Sequence, residues 1–136
     1  MNGDELETKQ AEIEAAIKAN GTTQQPELLL QLAKIKAMRG RVFGAGETLS
    51  DYKRLVSIPS EEGVIFEALF CVYLLEFDAA AEVLKNAMGA FPRPSYPRYL
   101  DYVLKRQTAA CAGGVPSMMQ FADVEREADA FVRAAV

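Results

Sequence analysis

The chain has 136 residues and a formal net charge of −4, with half of its residues apolar and a quarter charged, the balance of one globular domain with a closed core. It contains no histidine and no tryptophan, and its two cysteines, Cys71 and Cys111, form no CxxC pair. That excludes His-based triads, Cys–His dyads and most zinc sites, and the acidic balance weighs against a generic nucleic-acid binder.

The predicted elements are all helical. Residues 4–19 form the first, with Asp4 and Glu7 spaced as at a helix start and Leu6, Ile13 and Ile17 on one face. The stripe is thin, so this helix and the polar linker up to residue 25 are expected to attach loosely, or through a partner. Pro26 opens a second helix to about Arg39, with Leu28, Leu32 and Ile35 as its stripe. Gly40, Gly44 and Gly46 then predict a break, with a short helix from Thr48 to about Val56. Ser60-Glu61-Glu62 starts the next helix, and from Val64 to Leu75 only Glu67 is charged, which predicts the centre of the core. Asp78 is expected to cap a helix over 79–90, and Pro97 to open one to about residue 112. Ser117 and Gln120 start a last helix to about residue 135, with Phe121, Val124 and Phe131 on its stripe. No segment shows sustained period-two alternation. The expected fold is all-α: one domain over 1–136, with six or seven short helices in antiparallel hairpins, as a helical array or an irregular bundle.

Within residues 61–92, Ala68, Ala80 and Ala87 hold the positions where two helices cross closely, Phe77 stands near the turn, and Pro92 closes the unit. This pattern resembles one tetratricopeptide repeat (TPR). It departs from the family where Val64 and Cys71 replace large aromatics, and a shift of 34 residues lands on Lys34, Gly46 and Tyr102 where small helix-forming residues belong. The resemblance covers about a quarter of the chain and implies a TPR-like helical hairpin that binds other proteins. By fold-level analogy, the chain is similar in size and in its lack of catalytic residues to the needle-subunit co-chaperones of type III secretion systems. Ala80 and Ala87 are expected at a close crossing with the 61–75 helix, and Cys71 as a buried thiol.

Charge alternates along the chain: −3 over 1–25, +3 over 26–58, −5 over 59–92, +3 over 93–108 and −2 over 109–136. Either neighbouring helices attract one another, or the basic segments 26–58 and 93–106 converge on one face. Arg93, Tyr96, Arg98, Tyr99, Tyr102, Lys105 and Arg106 interleave cations with aromatics. Such a run either caps a core with tyrosines while its cations reach water, or makes a binding surface. Gly44-Ala45-Gly46-Glu47 lacks the third glycine, the Lys-Ser/Thr tail and the preceding strand of a phosphate loop, so it reads as a turn. The acidic start, Met1 to Glu5, lacks the basic and apolar regions of a signal peptide. The Val64–Leu75 run spans about 18 Å as a helix, short of the roughly 30 Å bilayer core. A cytoplasmic protein without membrane insertion is expected.

No metal, cofactor or catalytic residue is predicted. The expected function is a non-enzymatic protein-binding module, a chaperone, adaptor or assembly subunit that holds a helical segment of another protein or of a second copy. Leu6, Ile13, Ile17, Tyr96, Arg98, Tyr99, Tyr102, Phe121, Val124 and Phe131 are its candidate contact residues. The alternative is a nucleic-acid-associated subunit, such as a phage packaging or regulatory component, using the two basic segments; a small hydrolase comes third.

Overall fold

The computed structural model describes residues 3–20 and 26–111, all-α with no strand among them. The helices are α1 (Gly3–Asn20), α2 (Pro26–Met38), α3 (Val42–Leu55), α4 (Glu61–Tyr73), α5 (Phe77–Ala90) and α6 (Ser95–Cys111). The expected 117–135 helix, with Phe121, Val124 and Phe131, lies outside the described residues. Two compact units meet in sequence at Pro59 and Ser60, and among the described residues one holds α1–α3 and the other α4–α6. No described helix is long and apolar enough to cross a membrane.

In the first unit, α2 packs against both α1 and α3. Leu6, Ile13 and Ile17 of α1 are all buried, as are Leu29, Leu30, Leu32, Ala33 and Ile35 of α2 and Ala45, Leu49 and Tyr52 of α3. The expected glycine-rich turn before Thr48 is corrected: α3 already begins at Val42, and Gly44 and Gly46 are helical. Glycine is a poor helix former but not a stop when packing favours the helix. The Lys36 stem runs beside Gly44, its Cδ 3.5 Å from where a Cβ would sit, an ordinary contact distance.

In the second unit, Ser60 caps α4 by accepting a hydrogen bond from the Gly63 N–H (3.1 Å), and Glu61 and Glu62 place negative charge in the first turn. Val64, Ile65, Ala68 and Val72 of α4 join Ala80, Ala81 and Leu84 of α5 and Val103 of α6 in one core. Phe66 and Phe70, with ring centroids 5.9 Å apart, are buried as well, so α4 is enclosed on most sides as its apolar run predicts. Cys71 is half-buried at the edge of this core. The fifth helix starts at Phe77, not after Asp78: Glu76 is its N-cap and Asp78 sits in its first turn.

The two hairpins, α2–α3 and α4–α5, share one design. Every boundary of the first recurs 35 residues on: 26 and 61, 38 and 73, 42 and 77, 55 and 90. A 34-residue shift misses this correspondence by one position. At 35 residues, Ala33 matches Ala68 and Ala45 matches Ala80, and all four are fully buried. Each hairpin thus buries one alanine on each of its two helices at matching positions, where a larger side chain would have no free surface to occupy.

The turns match as well. After α2, the Gly40 N–H donates to the Ala37 carbonyl (3.0 Å) and the Arg41 N–H to that of Lys36 (2.8 Å). After α4, the Leu75 N–H donates to the Val72 carbonyl (2.9 Å) and the Glu76 N–H to that of Cys71 (2.8 Å). Both are Schellman motifs, which require a left-handed residue just past the helix. Gly40 supplies it at φ 76°, and Leu75 at φ 63°. The next residue, Arg41 or Glu76, is in each case the N-cap of the following helix, with ψ 71° and 70°. Glycine takes this conformation freely, whereas an L side chain such as that of leucine costs roughly 1–2 kcal/mol there.

Two helical glycines have no such requirement. A methyl group at Gly89 would meet nothing within 4 Å, and one at Gly44 would only touch the Lys36 stem. Gly89→Ala and Gly44→Ala are each expected to raise stability by about 0.5–1 kcal/mol. Gly40→Ala should lower it, because the left-handed turn remains. Thermal melts of the three variants read the signs.

Candidate functional site

The residues proposed from sequence for partner contact are distributed unevenly. Leu6, Ile13 and Ile17 are 7%, 4% and 6% exposed, on a helix that packs against α2. Tyr96, Tyr99 and Tyr102 are members of the second core, 2%, 6% and 7% exposed. Arg98 is exposed on α6, away from that buried face. The interleaved run therefore divides as helical periodicity dictates: the tyrosines and Val103 turn inward, and the cations turn to water. Arg106 lies over the Tyr102 ring, 6.0 Å from its centroid, and Lys105 pairs with Asp101 at 2.9 Å.

The start of α6 is tied to the start of α4. Ser95 Oγ donates to Glu61 Oε1 (2.9 Å), and Arg93 Nε stands 3.7 Å from Glu61 Oε2. Burial holds the Tyr96 phenol above its ordinary pKa, the Glu61 carboxylate adds to the rise, and Arg93 opposes it. The neutral phenol is therefore favoured by folding. Its contribution is complete below the ordinary tyrosine value of about 10 and is lost as pH rises through the higher folded value. Tyr96→Phe is expected to flatten the loss of melting temperature between about pH 9 and pH 11, while the parent keeps the steeper decline.

Two surface features remain. The first is an open cleft of about 630 Å³ in the α1–α3 unit, lined by Gln10 and Glu14 of α1, Lys36 of α2 and residues 40–44 around the turn. Gln10 is its hinge: Oε1 accepts from Arg39 Nη1 (2.5 Å) and Nε2 donates to Glu14 Oε1 (2.6 Å). Lys36 Nζ donates to Thr48 Oγ1 (2.9 Å), and that hydroxyl donates to the Gly44 carbonyl (2.9 Å). Gln10, Glu14 and Lys36 thus each have a hydrogen-bond partner within the unit, and Phe43, which also lines the cleft, is 81% exposed. Among the described residues no three Cys, Asp or Glu side chains gather as a metal site requires.

The second feature is the α4–α5 turn. Tyr73, Leu74 and Leu75 are consecutive and exposed, Tyr73 by 63% and Leu75 by 70%. Exposed Glu76 follows, then exposed Asp78, which accepts from Gln107 Nε2 of α6 (2.9 Å). Sequence reading absorbs this triplet into the apolar run of the core. The signal it misses is length: the buried positions of α4 end at Val72, and three large apolar residues follow before the next polar one.

No family model, no curated protein and no solved structure matches the chain.

Proposed function

We propose that the chain is a non-enzymatic protein-binding module built from TPR-like helical hairpins, acting as a cytoplasmic chaperone, adaptor or assembly subunit. The observation that carries this reading is the paired hairpin: two helix pairs with common boundaries, common turns and buried alanines at common positions, 35 residues apart. Hairpins repeated at that spacing build binding surfaces from helix faces and turns and need no reactive groups. The period is one residue longer than that of TPR units. The internal bonding of the cleft supports the same reading, since Lys36 is engaged with Thr48, and Gln10 with Glu14 and Arg39.

The nucleic-acid alternative draws on Lys36 and Arg41, which line the cleft beside the start of α3. One experiment separates the two. The full chain is isolated from the cells that produce it, treated with nuclease, washed at rising salt and weighed by native mass spectrometry. A protein partner in fixed stoichiometry after both treatments supports the module. Retention that disappears with nuclease and falls steeply with salt overturns it in favour of phosphate contacts.

A further inference from the structure

We infer that the α4–α5 turn is a docking knob for a cationic amphipathic helix of another protein, with Tyr73, Leu74 and Leu75 seated on its apolar stripe and Glu76, Asp78 and Glu82 facing its Lys and Arg residues. The inference rests on the protein-binding reading and names the surface and the chemistry of the partner.

Three observations converge on it. The first is the comparison of the two turns. The chain makes the same Schellman motif twice, with glycine at position 40 and leucine at position 75. Leucine disfavours the left-handed backbone, and at 70% exposure its side chain gains little inside the unit. A strained apolar residue presented to solvent is accounted for by a contact outside the fold. The second is continuity. Tyr73 and Leu74 precede it directly and are also exposed, giving one apolar tip instead of scattered single residues. Tyr73 is of the residue type that anchors protein contacts, and Leu74 and Leu75 extend its apolar surface.

The third observation selects the partner. Between Arg54 and Lys85 the chain carries six acids and no Lys or Arg. Glu76, Asp78 and Glu82 are exposed, and Asp78 and Glu82 are one helical turn apart on α5. An apolar tip beside the exposed carboxylates of Glu76, Asp78 and Glu82 complements an apolar stripe flanked by cations. Two copies of the tip meeting face to face would set Glu76 and Asp78 against their own counterparts, so a symmetric self-contact is disfavoured.

The test uses the isotope-labelled full chain, titrated with a short amphipathic helical peptide of leucine and lysine and with its leucine–glutamate counterpart. The lysine peptide is expected to give saturable amide shifts over residues 73–78, weakened by salt, and the glutamate peptide none. Leu75→Gly should weaken binding by about tenfold while melting at or above the parent temperature, because it removes both the anchor and the strain. Tyr73→Ser checks the same surface without altering the turn. Equal affinity of Leu75→Gly and the parent, equal binding of both peptides, or no shift at all overturns the docking site. Dilution-dependent shifts at 73–78 without peptide overturn it too, and assign the tip to a second copy. Saturable shifts confined to other residues overturn the site but leave the protein-binding reading standing, which the native complex decides separately.

Discussion

Leu84→Ala is expected to destabilise the α4–α6 unit by about 2–5 kcal/mol. Leu84 has no exposed surface and stands in the core that α4, α5 and α6 build together, with fully buried Ala80 on its own helix and fully buried Val103 on α6. Its removal takes away apolar contacts and leaves a cavity that rigid helices close only in part. Ala68 and Ala80 are already the smallest chiral side chains in that core and have no bulk to fill the space. Chemical denaturation monitored by helical circular dichroism measures the loss. A change below about 1 kcal/mol would mean that the helices collapse onto the gap.

The opposite substitution is expected to cost nearly as much. Ala80→Leu adds bulk at a position with no exposure, inside the core that α4, α5 and α6 share, and overpacking of this kind costs roughly 1–3 kcal/mol. Ala45→Leu should behave in the same way in α3, because Ala45 holds the matching position of the first hairpin and is equally enclosed. Ala79→Leu is the control: Ala79 is exposed, and surface substitutions stay within about 0.5 kcal/mol. Ala87→Leu falls between them, since Ala87 is half-buried at the edge of the core. If Ala79→Leu and Ala80→Leu melt together, small size at position 80 has no packing role.

The fold was legible where the signal is local. Pro26, Ser60 and the Glu61–Glu62 pair mark helix starts by hydrogen-bonding and dipole chemistry that needs no tertiary context. The beginning of α3 was hidden for the opposite reason. Gly44 and Gly46 read as breakers, and the helix passes through them because Ala45, Thr48, Leu49 and Tyr52 are buried along it, a tertiary gain that local propensity does not show. The repeat was hidden by a single residue: at 34 the partners of Ala68 and Ala80 are Lys34 and Gly46, at 35 they are Ala33 and Ala45. Of the contact residues proposed from sequence, the tyrosines of α6 follow its inward face, a division that helical spacing allows but that composition does not decide. The apolar tip was illegible because sequence marks a left-handed helix end by glycine or asparagine, and at position 75 the chain has leucine.

The matched turns bear on how readily each hairpin closes. Each hairpin joins its helices across a three-residue link, so the contacts that close it are short-range in sequence, and such topologies fold on microsecond to millisecond timescales. Closing a turn requires one residue to enter the left-handed well before the helix pair can reward it. At Gly40 that well is open to the unfolded chain, whereas at Leu75 it is sparsely visited. At the turn, closing the α2–α3 hairpin therefore costs less conformational free energy than closing α4–α5. The same leucine side chain that gives the second hairpin its apolar tip carries that extra cost of roughly 1–2 kcal/mol.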